Sequence, residues 1–237
     1  MIAGLYTAAS GMVAHQAKLD TLANNLANVE TPGFKADLLT IDASAAPPSG
    51  ASPIGSGATI QPGRLVLDPA AGVLKPTGNA LDLALDGPGL FVVETPQGER
   101  YTRAGNFTRD PEGFLATAQG FRVLGSAGPV RIPEAGLRVG EAGALPDGSR
   151  LRVVAGPDGA GLAKIGGNLF APAPGARPPE DLPAPRVVQG HLEGSNVSPV
   201  RAMVEMLATV RSYEAYQKTI QQLDQTAGQA ANELGRA

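Results

Sequence analysis

The stretch LDTLANNLANVETPGFK at residues 19–35 closes a helical pattern that begins at the first residue. Leu5, Met12, Leu19 and Leu26 recur every seven residues, and Ile2, Ala9, Gln16 and Ala23 form a companion series three residues behind them. That spacing predicts a helix that meets another helix along a narrow seam rather than one lying flat on a broad core. Asn24, Asn25 and Asn28 crowd its end, either as a solvated terminus or as polar groups that fix register between packed helices. Thr31-Pro32-Gly33 is expected to stop the helix, because Pro cannot continue it and Gly supplies an unusual turn.

The other end of the chain carries a matching pattern. Ser198-Pro199 has a capping residue followed by Pro in the first helical position. Met206, Tyr213, Ile220, Ala227 and Leu234 then keep a seven-residue interval, joined early by Met203 and Val210 and later by Tyr216, Leu223 and Ala230. The first helix holds too few large apolar side chains to offset its ordering entropy alone, so it needs partners. The C-terminal helix is one candidate, in antiparallel or staggered pairing, and other subunits are the next.

Between the two ends the period changes to two. Leu81, Leu83 and Leu85 alternate with Asp82, Ala84 and Asp86, as in a strand with one buried face. Strand candidates follow at residues 90–93, 100–103, 114–117, 121–124, 130–132, 150–154, 161–165 and 168–170, each bounded by Gly, Pro or Asp. The fold class expected is α+β: terminal helices pairing as a coiled-coil-like layer, with an all-β middle domain forming a small sandwich or barrel. The domain reading assigns residues 1–35 and 191–237 to a helical assembly domain, 36–80 to an extended arm or loop, and 81–190 to the β domain. Within this scheme residues 43–63 are almost wholly small residues, Gly and Pro, and residues 171–186, with six prolines, form a semi-rigid linker.

Composition narrows the chemistry. A formal net charge of -3 gathers neither nucleic acid nor anionic lipid. Cys is absent, which removes disulfides, thiolate catalysis and thiolate metal sites. No run is long and apolar enough for membrane insertion, and the N-terminal stretch lacks the basic start and unbroken apolar core of a signal peptide. His15 and His191, the two histidines, lie far apart in sequence, so no metal site or histidine-based catalysis is expected. Asp82 and Asp86 have the spacing of a carboxylate pair, but a polar strand face opposite three leucines explains them better. No phosphate-binding glycine motif is completed. The expectation is therefore no catalytic residue, no cofactor and no metal, with an enzyme or carbohydrate-binding module on coiled-coil ends as the alternative from another class.

Several longer runs carry a resemblance. SGMVAHQAKLDTLANNLANVETPGFKAD (residues 10–37) resembles the N-terminal signature of the flagellar axial proteins, the rod and hook subunits of the bacterial flagellum. TGNALDLALDGPGLFVV (77–93) and YTRAGNFTRDPEGFLATAQGFRVLG (101–125) are similar to the β-domain signature of rod and hook proteins, and GHLEGSNVSPVRAMVEMLATVRSYEAYQKTI (190–220) to the C-terminal one. Leu90, where a second aromatic is common, and Arg201, where an acidic residue is frequent, depart from the pattern. The length and the ending QQLDQTAGQAANELGRA (221–237) resemble the proximal-rod branch more than the distal-rod or hook branches. The resemblance implies a non-enzymatic subunit of the rod, the periplasm-spanning shaft of the basal body that transmits torque from the membrane ring to the hook. It implies as partners copies of the chain, neighbouring rod and hook proteins and the flagellar type III export apparatus, with export lacking a cleaved signal peptide. The assembly interface expected on this basis comprises Leu5, Met12, Leu19, Leu26, Asn24, Asn25, Asn28, Met206, Tyr213, Ile220 and Leu223.

Overall fold

The computed structural model describes residues 2–44, 59–140, 142–156 and 161–234. It divides into a helical unit (Met1–Ala27, Asp37–Leu67 and Ser198–Ala237) and a β unit (Asn28–Ala36 and Asp68–Val197). The backbone therefore passes from one unit to the other four times, near residues 28, 36, 68 and 197.

In the helical unit, α1 (Ile2–Ala27) is followed by a hairpin of β1 (Asp37–Ser44) and β2 (Thr59–Leu67), and α2 (Pro199–Leu234) completes it. Ser198 starts α2 as the sequence predicts, its carbonyl accepting the Ala202 amide at 2.9 Å. The helices run antiparallel: Gly4 lies against Leu223, and Gly11 against Tyr216. The residues of α1 that face α2 or are buried include Gly4, Gly11 and Asn25, one residue before Leu5, Met12 and Leu26, and Ala8, His15 and Leu22, one residue before Ala9, Gln16 and Ala23, with Ala14 buried besides. Small side chains explain the offset, because helix axes approach closely only where little stands between them. A Cβ on Gly11 would stand 2.8 Å from the Tyr216 ring.

α1 ends at Ala27, five residues before Pro32. Asn28 receives the Thr31 amide on its carbonyl and the Thr31 hydroxyl on its side-chain oxygen, both at 3.2 Å. The Pro-Gly pair thus shapes the segment after the helix rather than terminating it. The region expected as an extended arm, residues 36–80, carries the paired strands β1 and β2 and a short β3 (Leu74–Pro76). The Gly- and Pro-rich stretch at 43–63 falls largely on residues 45–58, outside the described residues.

The β unit continues with β4 (Leu83–Leu85), β5 (Leu90–Thr95), β6 (Gly98–Thr102), β7 (Thr108–Arg109), β8 (Leu115–Ala116), β9 (Arg122–Gly125), β10 (Gly128–Pro129), β11 (Val153–Val154), β12 (Leu162–Gly166), β13 (Leu169–Pro172), β14 (Val187–Gln189) and β15 (His191–Glu193). The main sheet has the order β12-β13-β6-β5-β9-β8-β7, with β10 on β9 and β11 on β5. Among the described residues it does not close into a barrel. Two-stranded ribbons, β14 with β4 and β15 with β3, complete the unit. The core gathers Phe91, Val93, Phe107, Leu115 and Val123 beneath the sheet, with Phe91 and Phe107 edge to face at 5.3 Å.

Two local expectations change. Asp82 is buried: Asn79 donates to its carboxylate at 3.1 Å, and its backbone bridges Asn106, so β4 is covered on both faces. The proline-rich stretch at 171–186 does not stand free. Leu182 donates its amide to Val153 at 2.7 Å, Ala155 donates to Glu180 at 2.8 Å, and Asp181 pairs with Arg152. Pro removes donors, yet the remaining backbone groups suffice to lay this segment along β11.

Candidate functional site: helix faces and a chain junction

The residues singled out from the sequence occupy two kinds of place in the helical unit. Leu5 is 41% exposed, Met12, Leu19 and Leu26 are half-buried, and Asn24 is exposed. Met206, Tyr213, Ile220 and Leu223 are half-buried along α2. Met12, Tyr213 and Ile220 come together with Ala9, Val13, Gln16, Ala17 and Asp20 around a groove of about 480 Å³. Asn25 does something else. Its amide donates to the Asp37 carbonyl at 2.8 Å and accepts the Asp37 amide at 2.9 Å, fastening α1 to the first residue of β1. Asn28 belongs to the turn after the helix and to the β unit.

One apolar feature was missed. Val200, Met203, Val204 and Leu207 are all more than half exposed and follow i, i+3, i+4, i+7 spacing on the first turns of α2. The sequence reading included only Met203 of this stripe, because it followed the seven-residue series around the helix. The shorter i, i+3, i+4 test over the first nine residues of α2 finds it. Tyr6 and Val13 are similarly exposed on α1.

A second site lies inside the β unit, where the chain segments arriving from the helical unit converge. Glu193, 2% exposed, accepts from the Lys35 ammonium at 2.8 Å, the Arg103 guanidinium and the Gly72 amide at 2.8 Å. Arg103 also donates to the carbonyls of Leu85, Gly87 and Gly89, and Lys35 to that of Ala70. Asn196 accepts the Ala36 amide at 2.7 Å and donates to the carbonyls of Asp68 and Ala70. Burial alone would raise the Glu193 carboxyl, but Arg103, Lys35 and the Gly72 amide together hold it below its ordinary range. It stays ionised, so its contribution is fully present above the ordinary value and is lost only as pH falls through the depressed one.

The segment entering this cluster is clamped on its far side by the β12–β13 hairpin. Asn168, in the left-handed region at φ 60, donates to the Pro32 carbonyl at 2.7 Å. Lys164 donates to the Lys35 carbonyl at 2.6 Å and stands 4.1 Å over the Phe34 ring. Gly33 takes φ 67, and a Cβ there would fall 2.4 Å from the Arg103 backbone. No other residue type fits that approach without displacement.

The arrangement offers packing and fastening. His15 packs against Tyr216 with the rings tilted by 39° and their centroids 5.4 Å apart, while His191 in β15 lies 3.0 Å from the Gln189 carbonyl within the β unit. Asp86 is exposed and pairs with Arg186. Among the described residues no group of three or more His, Cys, Asp or Glu is placed to hold a metal ion, and no helix is long and apolar enough to cross a membrane.

Comparison with known proteins agrees at each part of the chain. Family models match as follows: "Flagella basal body rod protein" over residues 5–35, "Flagellar hook protein FlgE/F/G D1 domain" over 84–146, and "Flagellar basal body rod FlgEFG protein C-terminal" over 188–234. The flagellar basal-body rod protein FlgG of Bacillus subtilis is 33% identical, covering 98% of this chain and 99% of its own. FlgF of Caulobacter vibrioides is 33% identical with 98% of each chain covered, and FlgF of Escherichia coli is 36% identical over 88% of each. With near-complete coverage at such identity, and family matches on both helices and the sheet, the chain belongs to the flagellar basal-body rod protein family and is a structural rod subunit of the FlgF or FlgG kind.

Proposed function

We propose that this chain is the proximal-rod member of the family and that it polymerises through its two helices into the shaft that carries torque from the membrane ring to the hook. The observation that carries the reading is the use of small residues on the face α1 turns to α2. Pairing through Gly4 and Gly11 leaves Leu5, Tyr6 and Val13 on α1, and Val200, Met203, Val204 and Leu207 on α2, exposed among the described residues. Apolar stripes of this kind on helices favour burial against further helices. The proximal position rests on the resemblance of residues 221–237, and the distal rod is the second reading. Copies of the chain, neighbouring rod proteins and the flagellar type III export apparatus are the partners, and the reading includes no enzymatic activity.

Deletion tests this, provided the cut respects the structure. Phe34 and Lys35 are buried in the β unit, so removal of residues 1–35 would damage the sheet domain as well. Removal of residues 1–27, or of residues 198–237, is expected to leave a folded β unit that is exported but absent from isolated basal bodies, with motility lost. Normal motility after either deletion would contradict the proposal.

A further inference from the structure

Four chain crossings join the two units, and every covalent path for force between them reaches the β unit near residues 28, 36, 68 and 197. Three segments that begin at those crossings are tied to one another. Asp68 donates its amide to Ala36 at 2.9 Å, Gly33 donates to Glu193 at 2.7 Å, and Asn196 donates to Phe34 at 3.3 Å. The side chains of Glu193, Lys35 and Asn196 bridge the same segments again, and Arg103 carries the tie to the β4–β5 turn and to β6. Lys35, Arg103 and Glu193 are each under 5% exposed, so solvent does not compete for these bonds. A buried cluster that is fully paired resists separation of its parts, whereas removal of one partner leaves the others uncompensated.

We propose that the Glu193 cluster is a mechanical lock: it makes the converging chain segments one stiff attachment, so that load reaching any crossing is shared by the whole β unit. This rests on the rod reading. Within the β unit the backbone pairing beside the crossings is short, three residues in β15 with β3, while the longer β1–β2 ladder that starts at Asp37 and Leu67 lies on the helical-unit side.

The test uses the full-length chain replacing the native copy, with Glu193→Gln, Lys35→Met and, as a control, Arg122→Ala, whose ion pairs with Asp110 and Glu112 lie outside the cluster. Hydrogen exchange on the purified chains should show the amides of Gly33, Gly72 and Gly194 opening about tenfold faster in Glu193→Gln, with the amides of β5 and β9 unchanged. Unchanged exchange at those three glycines overturns the lock. If Glu193→Gln unfolds the sheet, Lys35→Met is read in its place, because it keeps the Glu193–Arg103 pair. In cells, the variant should enter basal bodies in normal amount and swim normally in dilute medium, then lose about half or more of the control's speed in viscous medium. Equal speeds at all viscosities overturn the proposal. So does exclusion of a folded variant from basal bodies, which would make the cluster an assembly determinant. Absence of the unaltered chain from basal bodies would overturn the rod reading first and the lock with it.

Discussion

Gly33 concentrates much of the local logic in one residue. It sits between Pro32, whose carbonyl is held by Asn168, and Phe34, whose ring lies under Lys164, and its own amide donates to Glu193. Its positive φ and the 2.4 Å separation between a notional Cβ and the Arg103 backbone leave no room for a side chain. Gly33→Ala is expected to destabilise the β unit by about 2 kcal/mol or more, combining backbone strain with displacement of the Arg103 segment. Chemical denaturation followed by β-sheet circular dichroism measures it; a change under about 0.5 kcal/mol would mean that the segment packs elsewhere. The sequence signalled a turn here through Pro32-Gly33. It did not signal the cluster, because Lys35 and Glu193 are separated by 158 positions and isolated charges read as surface.

At the scale of elements, the helix pair couples packing to pH through His15. The imidazole is held below its ordinary value of 6.5, first by burial and then by Lys18 one turn away, while Tyr216 on α2 faces it. The unfolded chain therefore binds the proton more readily than the folded one below that value. The stabilisation is fully present above about pH 6.5 and declines as pH falls through the depressed pKa. Helical thermal unfolding is expected to shift downward between about pH 7.5 and pH 5.5, with His15→Gln removing most of that dependence. An identical shift in His15→Gln would assign the effect to other groups. Both helices were legible because their patterns are long, and the main strands because alternation and turn residues mark them. The exception at α1 is instructive. Heptad reading picks out large apolar residues, whereas the pairing face uses Gly4 and Gly11, with the small Ala8 buried between them, which a hydrophobic pattern passes over. β3, β14 and β15 were missed for a different reason: each is three residues long and finds its partner far away in sequence.

For the whole molecule, the chain order places its ends in one unit and most of its middle in the other, with the Glu193 cluster where the segments meet inside the β unit. The α+β class, the paired terminal helices and the family could be read from sequence, since each has a local signature. The junction could not, because it exists only when residues 33–36, 68–72, 85–89, 103 and 193–196 are assembled. The central claim is that the helix faces left open by the small-residue pairing are covered by other subunits. The absence of Cys from the chain makes a direct measurement available. Val13→Cys and Val204→Cys, each at a position 60% exposed, are introduced singly and together, each new thiol is alkylated with a photoactivatable cross-linker, and isolated basal bodies are irradiated. The account predicts covalent species joining this chain to a second copy or to another rod protein. Basal bodies that contain the chain yet yield only uncrosslinked subunit, for both positions and for the pair, would contradict it.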